Sequence, residues 1–380
     1  MLLCGTLAMA LFAGGGQAAK STASGKVLKL GVLAPLTGTN AEFGKSFEVG
    51  MGMAVSEINA AGGVNGYTLQ LIINDSKGDQ KESSDLARQY ADNDEILAIL
   101  GDFTSGCCMA NAPIVDEAGI VQLSPTASNP DYAGLSPYCF SIMGRNDFAS
   151  TFYANNVITK FLGVKNVGII YINSDWGNSA YENFKKEADR IGLNVPVAVN
   201  YVQDERDFSS LITRLRATPN LDMVGILDQG AVPLIVNQIR SAGWDIPLST
   251  QGPGTSQQII DLCGRNSEDL IVVTEFYFDE NVPEIKTWRD KFYAQANFEP
   301  THHSAVAYDS VYLIAEAIKM CGSGPITRKA IRDNLQNVDY TGFMGRIQFH
   351  PDGDITRNPV ICAVENGRYV LRAGVNYKFD

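Results

Sequence analysis

The sequence predicts an α/β fold made of two successive halves, each built on an open, mainly parallel sheet. Three observations lead there. From Val27 onward, short apolar runs alternate with amphipathic stretches of helical period, the order expected of parallel strands joined by helical crossovers. The series stops near Tyr138–Gly144 and then begins again. No low-complexity linker separates the halves, so any hinge is short.

The elements follow in order. LKLGVLAP (28–35) is a strand entering a Pro-Leu-Thr-Gly loop, and 44–63 is a helix stopped by Gly62-Gly63. LQLIIND (69–75) is a strand, 80–93 a helix and ILAILG (96–101) a strand. A helix from about 106 to 117 and the short strand 120–124 complete the first half. The second half opens with a helix at 148–163 and the strand NVGIIYIN (166–173). It continues with a helix at 178–191, a strand at 196–202, a helix at 207–217 and the strand MVGILD (223–228). A helix at 232–243, the strand DLIVVTEF (269–276) and a helix at 304–318 follow. In such sheets ligands bind where loops leave the carboxyl ends of the strands, often in a cleft between domains.

At 380 residues the chain is long enough for two domains of ordinary size, and 45% hydrophobic residues is a globular composition. A net charge of −12 with no basic run excludes nucleic acid as a partner, because phosphate binding relies on clustered Lys and Arg. Leu2–Ala13 is apolar and precedes Gly16-Gln17-Ala18, a small-x-small cleavage pattern. This reads as a signal peptide and hence export to the periplasm or extracellular space, against the plainer reading of a frayed apolar terminus. Cys4 leaves a lipid anchor open, although only three residues precede it. Six cysteines follow, at 107, 108, 139, 263, 321 and 362; none shows CxxC spacing and no zinc pattern forms, so no metal is expected.

The sharp motifs fail in turn. No GxxxxGK[ST], GxGxxG or GxSxG occurs, so neither a nucleotide cofactor nor a nucleophile elbow is expected. Ser105 follows a strand, but an acyl-transfer serine needs a positioned histidine, and the chain has only His302, His303 and His350. The His302-His303 pair reads as a polar helix entry or as a ligand contact. Cys107 and Cys108 sit in a first helical turn, where the dipole lowers a thiol's pKa; they read as packing residues or as reactive thiols. The stretch GDFTSG (101–106) offers more through its backbone. A strand ending in Thr104-Ser105-Gly106 before a helix presents amides, hydroxyls and the positive end of a dipole, which is an anion site of carboxylate size. LSPTASNP (123–130) repeats the logic with Ser124, Thr126 and Ser128, whose hydroxyls and carbonyls suit an ammonium group. Together the two loops read as a receptor for a zwitterion.

These segments resemble one family as a set. GVLAPLTGTNAEFGKSFEVGMGMAVSEINAAGGVNGYTLQLIIND, ILAILGDFTSG, AGIVQLSPTASNP, VGIIYINSDWGNS and AVAYDSVYLIAEAI resemble, in order and spacing, the type I periplasmic solute-binding proteins, specifically the branched-chain amino-acid group that feeds ABC transporters. The resemblance covers nearly all of 27–370. It implies two Rossmann-like lobes joined by three hinge crossovers, closing over a ligand in the interlobe cleft. Residues 1–25 would be leader, 26–145 with 275–342 the first lobe, and 146–274 with 343–380 the second. It implies that Ser105, with Thr104 beside it, binds the ligand carboxylate, and that the Thr126 carbonyl and Ser128 hydroxyl bind the ammonium. Phe43 and Trp176 would flank the ligand as apolar walls, and His303 is a further candidate contact. Where the family often places an acid, after the strand near 246–250, this chain has about Gly252; Asp228 is the nearest acidic candidate, as ligand contact or as helix cap. The implied action is non-enzymatic capture of a small amino acid by a monomer that hands it to permease subunits. Alternatives are a sensory module for an amide, urea-like solute or aromatic or carboxylic acid, and, weakest, an α/β enzyme.

Overall fold

The computed structural model describes residues 26–372; the leader with Cys4 and the candidate cleavage site lies outside the described residues. The first sheet is formed by β1 (Val27–Ala34), β2 (Thr68–Asp75), β3 (Ile96–Leu100), β4 (Val121–Ser124) and β5 (Cys139–Ser141). Its order is β2-β1-β3-β4-β5, and every pairing is parallel. A sheet covered on both faces needs strands apolar on both sides. In β1, Leu30, Val32 and Ala34 face one core while Leu33 faces the other, all fully buried. The crossovers α1 (Ala41–Ala60), α2 (Gln80–Ala91) and α3 (Ser105–Ala118) cover those faces.

The second sheet begins after α4 (Asn146–Phe152), which runs on as a π-helix over Tyr153–Phe161, so the single helix expected at 148–163 changes winding midway. β6 (Asn166–Ile172), α5 (Asp175–Ile191), β7 (Asn194–Tyr201), α6 (Ser209–Arg216) and β8 (Met223–Leu227) follow. Then come α7 (Val232–Ser241), β9 (Leu248–Gln251), α8 (Gln257–Cys263) and β10 (Ile271–Thr274). The chain returns to the first lobe for α9 (Pro283–Ala296), α10 (His302–Lys319), α11 (Arg328–Leu335) and the hairpin β11 (Asp339–Gly342) and β12 (Gly345–Gln348). It closes the second sheet with β13 (Val360–Glu365) and β14 (Arg368–Leu371). That sheet has the order β14-β13-β10-β9-β8-β6-β7, parallel from β10 to β7, with β13 antiparallel to both β10 and β14.

Three crossings therefore join the lobes: near Gly144–Asn146, after Thr274, and between Ile355 and Val360. Residues 343–355, which the sequence division groups with the second lobe, contribute Ile347 and Ile355 to the core of the first sheet. The caps explain several element starts. Asp79 accepts from the Glu82 amide, Ser174 from Gly177 and Thr327 from Ala330, each satisfying a donor that the first helical turn leaves free. Thr301 and Ser304 form a reciprocal capping box at the start of α10. All six described cysteines are free, five of them buried.

Candidate functional site

The carboxyl ends of both sheets face each other across a cavity of about 800 Å³. Each lobe points a helix N-terminus into it. In the first lobe, Thr104 caps α3 by accepting from the Cys107 amide at 3.3 Å. This leaves the Ser105 and Gly106 amides without a protein acceptor among the described residues, both in the cavity wall. In the second lobe, Ser174 caps α5 and leaves the Asp175 and Trp176 amides equally free, also in the wall. Two dipole ends and four amides on one cavity make an anion cradle. Apolar surface comes from Trp176, Phe103, Ile172, Met143 and Ala149.

The lobes are closed on each other. Trp176 Nε1 donates to Ser128 Oγ at 2.9 Å, and Asn129 Nδ2 to the Asp175 carbonyl at 3.0 Å. Gln80 Nε2 donates to Asp175 Oδ2 at 2.9 Å and Thr39 Oγ1 to Asp204 Oδ1 at 2.6 Å. On the outer side, Ser256 Oγ reaches the half-buried Glu42 carboxylate at 2.8 Å. Burial lifts the Glu42 pKa to about 7 against the lowering effect of that hydrogen bond.

Of the residues singled out from sequence, Thr104, Ser105, Thr126, Ser128, Trp176, Gly252 and His303 lie together in the cavity wall. The Ser105 hydroxyl accepts from the Asn129 amide at 3.2 Å, so its own proton is free for a ligand. The Thr126 hydroxyl is turned inward, donating to the Phe103 carbonyl at 2.7 Å. Gly252 holds φ +124, and a Cβ there would stand 2.6 Å from the Asp228 carbonyl oxygen and 2.9 Å from the Trp176 ring. No acidic side chain could occupy that position.

Phe43 and Asp228 do not reach the wall. Phe43 is buried behind it, stacked on Phe103 at 4.9 Å and against His303 at 4.6 Å, so it props two lining rings and touches the cavity through them. Asp228 turns its carboxylate to the Ala231 amide at the entry of α7, the capping alternative. Burial raises its pKa to about 6.

The cysteines stand behind the cradle. Cys108 Sγ donates to the Asp102 carbonyl at 3.3 Å within the apolar core that holds Ala112, Val115 and Tyr132. Burial pushes both thiols of the pair up, so desolvation outweighs the helix dipole and the reactive-thiol reading is not supported. Cys107, Cys108 and Cys139 form no disulfide.

Glu275 in the wall escaped the sequence reading, and His302, weighed there with its neighbour as helix entry or ligand contact, lines the wall beside His303. His302 and His303 are both neutral, driven down by burial, His302 to about 3. A hydrogen-bonded chain ties them together: Thr274 Oγ1 and His302 Nδ1 are 2.6 Å apart, the two Nε2 atoms 3.0 Å, and His303 Nδ1 and the Thr301 hydroxyl 3.2 Å. Glu275 follows β10 directly, and the rule that ligands gather at strand carboxyl ends was the signal that could have found it. Among the described residues no cluster of His, Cys, Asp and Glu could hold a metal ion, and no helix is long and apolar enough to cross a membrane.

Comparison with known proteins bears on the family and the fold. The periplasmic binding protein family model matches residues 27–368. An amino acid binding protein of Pseudomonas aeruginosa is 28% identical over 330 residues, covering 86% of this chain and 87% of its own. The branched-chain amino acid transporter substrate binding protein LivJ of Streptococcus pneumoniae, solved with isoleucine, superposes with a TM-score of 0.83 at 24% identity, over 90% of this chain and 98% of that one. A solute binding protein of an ABC transporter from R. palustris, solved with benzoate, also gives 0.83, at 18% identity over 91% and 95%. Those structures share the two-lobed type I architecture seen here. With the match spanning nearly the whole described chain, this protein belongs to the periplasmic binding protein family.

Proposed function

We propose that the chain is the substrate-binding component of an ABC importer, capturing a small apolar amino acid, of branched-chain or similar type, between its lobes. The observation that carries this reading is the cradle: the free amides of Ser105, Gly106, Asp175 and Trp176 meet in one cavity beside the Ser105 hydroxyl. A buried carboxylate needs a donor for each lone pair, and charge-assisted hydrogen bonds contribute about 1.5–3 kcal/mol each. The rings of Trp176 and Phe103 receive the apolar side chain. Because cradle residues come from both lobes, ligand stabilises the closed shape, and the closed shape is what permease subunits would recognise. The protein then acts outside the cytoplasm, as a monomer, without cofactor, metal or chemical turnover.

A second reading, capture of an aromatic carboxylate, rests on the two rings in the wall and on the benzoate-bound structural neighbour. Thermal denaturation against a panel of amino acids, amides and benzoates separates the two. A ligand at a hundred times its dissociation constant adds about 2.7 kcal/mol of stability. Stabilisation by leucine, isoleucine or valine supports the first reading and by benzoates the second. No shift with any solute removes both.

A further inference from the structure

Glu275 is the acidic group that the rest of the protein leaves alone. Its side chain is 16% exposed, and it lines the cavity. Apart from its own backbone amide, no donor among the described residues gives it a hydrogen bond. The His302 ring comes within 3.4 Å through Nδ1, but that nitrogen is engaged by Thr274 Oγ1 at 2.6 Å, and the ring is neutral. Arg357, from the third crossing, is buried and donates to the carbonyls of Ile142 and Met344; it attracts Glu275 from beyond ion-pair range. From α10 the imidazole of His302 stands beside Glu275, uncharged. A carboxylate withdrawn from water without a counter-ion is strongly unfavourable. Burial accordingly raises the Glu275 pKa to about 7.

The fold also fixes where this group stands. In β10, Val273 pairs with Gln251 of β9, so Glu275 emerges at the level of the turn that begins at Gly252. That turn has no room for an acid. The cavity thus carries an anion cradle at the α3 and α5 termini and one unpaired carboxyl on the β10 side.

We infer that Glu275 is the residue that recognises the positive, N–H-bearing end of the ligand, selecting a zwitterion over a simple acid. This rests on the capture reading above and sharpens it. Binding an ammonium group requires the ionised carboxylate, so the ligand drives a proton off Glu275 when the pH lies below its free value. Affinity for an amino acid then rises with pH up to about 7 and levels off above it. A ligand without an amine gains nothing from that ionisation.

Calorimetric titration of the full chain with L-leucine and with 4-methylpentanoate, the same skeleton without the amine, tests this. The titrations run from about pH 6 to about pH 8.5 in two buffers of different ionisation enthalpy, so that proton release is read directly. The expected result is proton release and tightening with leucine in the unaltered protein. In Glu275→Gln, leucine should bind roughly ten- to a hundredfold more weakly with no proton release, the loss of one charge-assisted bond, while 4-methylpentanoate holds or improves. The proton release of the unaltered protein stands independently of how well the variant folds. The assignment is overturned if Glu275→Gln keeps the leucine affinity and pH profile, or if leucine binds more tightly as pH falls, the sign of a protonated Glu275 donating to the ligand. If leucine does not bind but 4-methylpentanoate or benzoate does, Glu275 loses this role while solute capture stands; if none binds, both fall.

Discussion

The indole Nε1 of Trp176 donates to the Ser128 hydroxyl at 2.9 Å, from the first turn of α5 in one lobe to the loop after β4 in the other. One bond thus joins two of the residues that the sequence nominates for opposite sides of a ligand, and it exists only when the lobes are shut. Trp176→Phe keeps the apolar wall and removes the donor; Ser128→Ala removes the acceptor. Each should weaken ligand binding by about 0.5–1.5 kcal/mol, chiefly through faster dissociation. The double variant should cost little more than either single one. Additive losses in stopped-flow dissociation rates would show that the bond does not couple the lobes.

Ser105 and Thr104 are neighbours with separable jobs. The Thr104 hydroxyl is committed to the Cys107 amide, whereas the Ser105 hydroxyl keeps its proton for the cavity. Thr104→Ala should therefore lower unfolding stability by about 1 kcal/mol, the usual loss for a helix cap. Ser105→Ala strands the Asn129 amide and should also cost about 1 kcal/mol of stability, but it alone of the two should reduce carboxylate affinity, by about 1.5–3 kcal/mol. Melting curves and calorimetry on the same two variants read both effects, and a loss of affinity in Thr104→Ala with none in Ser105→Ala would reverse the roles.

The thiols give a prediction of silence. Cys107, Cys108, Cys139, Cys263 and Cys362 are buried, and only Cys321 is partly open to solvent. Buried thiols pushed upward in pKa react slowly because the thiolate is the attacking species. Of these six, the native protein should modify Cys321 alone with an alkylating reagent, and all six after denaturation. Peptide mapping that finds Cys107 labelled in the native state would reopen the reactive reading.

Much of this fold was legible because its signals are local. The β1 to β4 runs are apolar on both faces and short, and the helices between them carry their own stops, so alternation alone gave the order. The cradle was legible for the same reason: strand, Thr-Ser-Gly and helix are contiguous. Phe43 was placed too near the ligand, and Asp228 was left between two roles, because side-chain direction is decided by long-range packing. Phe43 is stacked on Phe103, sixty residues away, and Asp228 is used by the turn into α7. Glu275 was missed because, although it stands at a strand's carboxyl end, nothing in IVVTEFYF marks it as buried and unpaired. Its isolation is created by its neighbour Thr274, which takes up His302 Nδ1, and by His302 and Arg357, which the chain brings in from two other segments. Likewise no sequence signal marks the change of winding at Tyr153, inside a stretch of ordinary helical period.

The buried carboxyls predict the pH response of the ligand-free protein. Burial lifts Glu42, Glu275 and Asp354 to about 7, and Asp228 and Asp309 to about 6. Each has its folded pKa above its ordinary value. Its favourable contribution is therefore complete below that ordinary value and disappears as pH rises through the folded one. Asp75, Asp222, Asp333 and Asp339 are shifted down: desolvation, the leading effect at Asp75, opposes the shift at all four, and hydrogen bonds together outweigh it; their contribution is lost only as pH falls through the acid range. Stability of the ligand-free protein should thus peak between about pH 5 and about pH 6 and decline toward pH 8, where up to five buried carboxylates are forced to ionise. With leucine bound the decline should be shallower, because the ammonium group offsets the charge on Glu275. Melting curves from about pH 4.5 to about pH 8.5, with and without leucine, read both slopes. A ligand-free melting temperature that rises steadily to pH 8 would show that these carboxyls are ionised and solvated rather than held neutral by burial.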